Sequence, residues 1–139
     1  MKFEIHYSKE ADDAVMRAML APLLSYNESM AGESESCPLV LSITDAEASV
    51  IGGLWARTAF GWLHTELLVV PEQLRGQGIG RELIQRAERE AIARGCHSAW
   101  LDTFQFQARA FYERFGYVVF GTLDDYPEGF QRYFMVKRL

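Results

Sequence analysis

The chain has 139 residues, 49% of them apolar and 13% aromatic, so it has the material for one globular domain with a substantial core. A net charge of −5 without a Lys/Arg cluster argues against nucleic acid as a partner. No apolar run approaches membrane-spanning length, and the two cysteines, Cys37 and Cys96, have neither CxxC spacing nor scaffold density, so a reduced, cytoplasmic protein is expected.

In chain order, Phe3, Ile5 and Tyr7 alternate with polar residues and predict a first strand. Ser8 is placed to cap a helix with Glu10, Asp12 and Asp13 near its positive end. Val15, Met16, Met19, Leu20, Leu23 and Leu24 give that helix an apolar stripe, with a bend expected at Pro22. From Ser25 to Cys37 the residues turn to Ser, Glu, Gly and Asn, which predicts a loop or a frayed second helix. Leu39 to Ile43, Ser49 to Arg57 and Phe60 to Val70 then read as three strands of a meander.

Arg75-Gly76-Gln77-Gly78-Ile79-Gly80 follows the third of these strands and opens a helix. Glycines at alternate positions remove side chains where a loop becomes a helix N-terminus, so backbone N–H groups can converge on an anion. The helix has Ile79, Leu83, Ile84, Ala87 and Ala91 on one side and stops at Arg94-Gly95. His97 to Asp102 predicts a short buried strand, Gln107 to Phe115 a compact helix, and Tyr117 to Gly121 and Gln131 to Arg138 a terminal pair of strands.

The spacing is not that of the two best-known phosphate loops. A dinucleotide fingerprint starting at Gly76 needs a third glycine where Arg81 stands, and a P-loop needs Gly-Lys-Ser/Thr. The run instead resembles the pyrophosphate-binding motif of the GNAT superfamily of N-acetyltransferases, (Gln/Arg)-x-x-Gly-x-(Gly/Ala). Ala108, Phe111-Tyr112-Glu113-Arg114 and Phe115-Gly116-Tyr117 resemble that family's second signature, in the right order and at the right spacing. One departure is Gln105, where many members carry Asn.

The resemblance implies a single α/β (α+β) domain over residues 1–139, with a mixed, mostly antiparallel sheet of about 6–7 strands and about four helices on both faces. It implies acetyl-CoA as co-substrate, its pyrophosphate received by the backbone of Gly76, Gln77, Gly78, Ile79, Gly80 and Arg81, with Arg75 adding charge. It also implies that the main chain of Leu68, Val69 and Val70 pairs with pantetheine and that an N–H near Val69 stabilises the thioester oxygen. Tyr112 matches the family's general acid, and Glu66 matches a glutamate that deprotonates the amine.

Alternation places Trp62, His64, Glu66 and Leu68 on one strand face, which makes His64 a second candidate base. Cys96 reads as a packed small residue rather than a nucleophile, and no metal-ligand spacing is present. Acidic residues of the variable loops, Glu33, Glu35, Asp124, Asp125 and Glu128, are placed to attract an ammonium or simply to keep the surface soluble. Trp55 and Trp62 read as sheet-face packing with a cleft-lining role as the alternative.

The implied activity is acetyl transfer to the primary amine of a small molecule by direct attack in a ternary complex. The alternatives are a non-catalytic acyl-CoA-binding or regulatory module and an acetyltransferase for protein lysines or N-termini. Homodimers occur in the family, but no sequence feature requires one.

Overall fold

The computed structural model describes residues 1–139, which form two compact units, Met1–Ser34 and Glu35–Leu139. The first unit is an extended segment and one long helix, α1 (Asp13–Ala31). Its cap is Asp12, whose carboxylate accepts from the Ala14 N–H at 2.7 Å, rather than the expected Ser8. Phe3 to Tyr7 forms no strand. The polar stretch after Ser25 stays helical to Ala31, and Pro22 lies within the helix without ending it.

The second unit contains the whole sheet. Its strands are β1 (Cys37–Thr44), β2 (Val50–Ala59), β3 (Trp62–Val69), β4 (Ser98–Phe104), β5 (Val118–Leu123) and β6 (Arg132–Arg138). Their order is β1-β2-β3-β4-β6-β5, and only β3 and β4 run parallel. The two helices of this unit are α2 (Ile79–Ala93) and α3 (Arg109–Glu113), so six strands and three helices are formed in all. A parallel pair needs a crossover, which α2 supplies.

The core lies between one sheet face and α2. Leu39, Leu54, Ala56, Leu63 and Leu101 point to that side and meet Leu83, Ile84, Ala87 and Ala91 of the helix. Leu54, Leu63, Ile84 and Leu101 are essentially fully enclosed. Each such side chain contributes roughly 1.5–3 kcal/mol through its burial. The polar side of α2 holds Arg86–Glu82 and Arg94–Glu90 pairs one turn apart, which are exposed or half-exposed supports for the helix.

Candidate active site

Two features of β3 shape the site. The first is its pairing with β4, which runs only from Trp62↔Ser98 to Thr65↔Leu101, although β3 continues to Val69 and β4 to Phe104. The strands therefore part beyond Thr65 and Leu101 and open a wedge in the sheet. The second is a β-bulge. Trp55 opposes Leu67 and Ala56 opposes Thr65, which leaves Glu66 as the extra, exposed residue.

The bulge corrects the simple alternation expected for this strand. Leu68 lies opposite Leu54 and packs against the core, whereas Leu67 takes the other face beside Trp55 and is exposed. Glu66 is thus released from the ladder at the mouth of the wedge.

The glycine loop leads from the end of β3 through a short 3-10 turn (Glu72–Leu74) into α2. Gly78 is the helix N-cap in the left-handed conformation (φ 78°, ψ 10°), and no side chain caps the helix. Gly76 is also left-handed, with φ 75°. A Cβ at either position would meet nothing within 4 Å, so backbone conformation explains these two glycines. Gly80 answers a different need, since a Cβ there would stand 3.0 Å from the Phe111 ring. The first intrahelical bond runs from the Glu82 N–H to the Gly78 carbonyl, so the N–H groups of Ile79, Gly80 and Arg81 precede the helical ladder. The Arg75 guanidinium donates to the Val70 carbonyl at 3.2 Å and so ties the loop to the strand end.

Tyr112 lies on α3, buried, with its ring against Tyr117 and Phe111. Burial, assisted by the nearby Asp102 carboxylate, pushes its hydroxyl up to about 12. The entry to α3 is held by Thr103, whose hydroxyl accepts from the Ala108 N–H at 3.3 Å, and by Gln107, whose side-chain oxygen accepts from the Phe104 N–H at 2.9 Å. Gln105, at the position of the usual Asn, is engaged elsewhere. Its side-chain oxygen accepts from the Gln131 N–H at 2.9 Å and its own N–H donates to the Gln131 carbonyl at 2.8 Å, which closes the end of β4 onto the last loop.

On the sheet face away from α2, His64 stacks on Trp100 with ring centroids 3.8 Å apart. Burial lowers its pKa below the ordinary imidazole value, partly offset by the negative charges of Glu66 and Asp102. Asp102 is held by Arg132, whose Nε donates at 2.6 Å. The Arg132 guanidinium also lies over the rings of Phe104, Tyr126 and Phe134. This ion pair and its aromatic surround, at the β4 side of the wedge, had no recognisable sequence signal because its members lie 30 residues apart.

The remaining candidates are placed apart from this cluster. Trp62 and Ser98 are at the opposite ends of β3 and β4, beside a cavity of about 500 Å³ that also touches Gly116 and Arg138. Trp62 packs edge-on against His97 and does not reach the wedge. Cys96 is buried and its thiol is pushed up by burial, which keeps it unreactive.

A glycine-rich helix start thus follows the strand whose parallel pairing splays open. The profile of the acetyltransferase (GNAT) family matches residues 5–117, and the chain belongs to that family. It is 43% identical over 122 residues to the acetyltransferase Atu2258 of Agrobacterium fabrum, covering 88% of this chain and 89% of that one. It is 38% identical over 109 residues to the blasticidin-S acetyltransferase of Streptomyces morookaense, covering 76% and 80%. Its fold is similar to the crystal structure of an acetyltransferase-family protein from Agrobacterium tumefaciens, with a TM-score of 0.93, 39% identity, and coverage of 99% of this chain and 100% of the other. These relationships make the chain an acetyl-CoA-dependent N-acetyltransferase with a GNAT fold. No helix is long and apolar enough to cross a membrane.

Proposed function

We propose that this acetyltransferase moves an acetyl group onto a primary amine of a small molecule by direct attack within a ternary complex. The observation that carries the reading is the wedge between β3 and β4, with the uncapped N–H groups at the start of α2 following β3 and Tyr112 on α3 following β4. The relative that acetylates blasticidin S, itself a small molecule, supports the acceptor class.

In this reading the N–H groups of Gly76, Gln77, Gly78, Ile79, Gly80 and Arg81 hold the pyrophosphate, helped by the positive end of α2. The free edge of Leu68, Val69 and Val70 aligns the pantetheine arm, and the backbone near Val69 stabilises the oxygen on which charge develops. Glu66, released by the bulge, takes the proton of the incoming ammonium, directly or through water. Tyr112 keeps its proton in the resting site and donates to the sulfur as that atom gains charge. Holding donor and amine together supplies much of the rate, because the attack becomes effectively unimolecular.

The test is free-thiol release from acetyl-CoA across nucleoside-type antibiotics, aminoglycosides, polyamines, amino acids and peptides. Turnover on a small amine is expected, with Tyr112→Phe lowering kcat by roughly 10²-fold and leaving the KM for acetyl-CoA nearly unchanged. Turnover on peptides alone would overturn the acceptor class, and full activity of Tyr112→Phe would remove the acid.

A further inference from the structure

The proposed acid stands on the shortest of the three α-helices. With five residues α3 is too short to hold a helix by itself, so contacts with other elements set the place of Tyr112. Tyr117 touches it twice. Its ring packs at a steep angle to the Tyr112 ring, with centroids 5.9 Å apart, and its N–H donates to the Tyr112 carbonyl at 3.2 Å. Tyr117 is itself only 1% exposed. The Lys137 ammonium lies 5.7 Å from the centroid of the Tyr117 ring. Both carboxylate oxygens of Glu88 hold that ammonium, at 2.9 and 2.7 Å. A line of contacts thus runs from Glu88 on α2, through Lys137 on β6 and Tyr117, to the acid on α3.

Stability does not account for this arrangement. A buried ion pair is often matched or bettered by apolar side chains of the same volume. The Tyr117 hydroxyl is enclosed and has no hydrogen-bond partner, so a phenylalanine ring would fill the same space without stranding a polar group. Burial, and then the Glu88 charge, push that hydroxyl up, so it stays protonated beside the acid. Two features that stability disfavours therefore meet at one ring, and that ring carries the contact with Tyr112.

We propose that Glu88 and Lys137 are positioning residues for acetyl transfer, fixing Tyr112 through the ring of Tyr117. The ammonium holds the Tyr117 ring by its electron-rich face, and the angled contact between the two tyrosines then restricts the direction of the Tyr112 phenol. A misplacement of about 1 Å in a reacting group can cost roughly 10²-fold in rate, so a clamp of this kind is felt in the chemical step. The role rests on the reading of Tyr112 as proton donor to the sulfur.

The test is a cycle of variants read by steady-state kinetics, calorimetric binding of acetyl-CoA and thermal melts. Glu88→Gln with Lys137→Met removes both charges together and so strands neither. It should fold, keep the affinity and KM for acetyl-CoA, and lower kcat about tenfold. In a Tyr112→Phe background the same pair of changes should leave kcat where Tyr112→Phe put it. Tyr117→Leu supplies a second route: it should lower kcat by a similar factor, and adding the paired change to it should take away nothing more. A merely structural role predicts the same proportional loss in every background. That result, or an unchanged kcat in the paired variant while Tyr112→Phe is impaired, would overturn the positioning role alone. Full activity of Tyr112→Phe would instead remove the acid, and the positioning role with it.

Discussion

His64 shows how one position combines packing and chemistry. Its ring is sandwiched against Trp100, and burial lowers its pKa below 6.5 while Glu66 and Asp102 pull the other way. The unfolded chain therefore takes up a proton at this residue before the folded protein does. It follows that stability is lost as pH falls through 6.5 and into the folded-state pKa. Thermal melts between pH 7.5 and 5.5 should show His64→Asn losing less stability over that interval than the unaltered protein. An identical loss in both would mean that the burial of His64 is not felt. The same burial disfavours the imidazolium, the form that would repel an incoming ammonium. Tyr112 is the converse case, since burial there favours the protonated state that a donor to sulfur needs.

At the scale of elements, the loop before α2 depends on glycine for two physically different reasons, and the two can be separated by substitution. Gly78→Ala forces a Cβ into the left-handed region and should cost about 1–2 kcal/mol although the space around it is empty. Gly80 has ordinary helical placement, but its Cβ would press on the Phe111 ring and drive α3 away from α2. Gly80→Ala should thus disturb the helix that carries Tyr112, lowering kcat, whereas Gly78→Ala should raise the KM for acetyl-CoA. Melting temperatures and steady-state kinetics on both variants check this, and equal kinetic effects would refute the division. The glycine spacing and the Tyr112 signature were readable along the chain because each is local. The bulge at Glu66 was not, because it is defined by which residue of β2 stands opposite, and strict alternation wrongly put Leu68 beside His64. The first helix likewise ran past its expected end, since the Ser, Glu and Asn residues before Ala31 tolerate helix and no strong breaker intervenes before Gly32.

Across the whole molecule, one buried ion pair joins elements far apart in sequence. Lys137, near the end of β6, donates to both carboxylate oxygens of Glu88 on α2, at 2.9 and 2.7 Å. Glu88 is only 9% exposed, so removal of its partner strands a charge inside the protein. Lys137→Met should cost about 3 kcal/mol in chemical denaturation. The paired change Glu88→Gln with Lys137→Met should recover much of that loss, and no difference between the two variants would contradict the account. What the sequence determined by itself was the strand–loop–helix unit, the acetyl-CoA donor implied by its resemblance, and the rough order of strands, because periodicity, glycine spacing and the Tyr112 signature act over short stretches. The tertiary structure decided the wedge between β3 and β4, the release of Glu66, the Asp102–Arg132 pair and the diversion of Gln105 to the last loop. Each of these is a pairing across many residues, and such pairings are set by register and packing rather than by any local pattern.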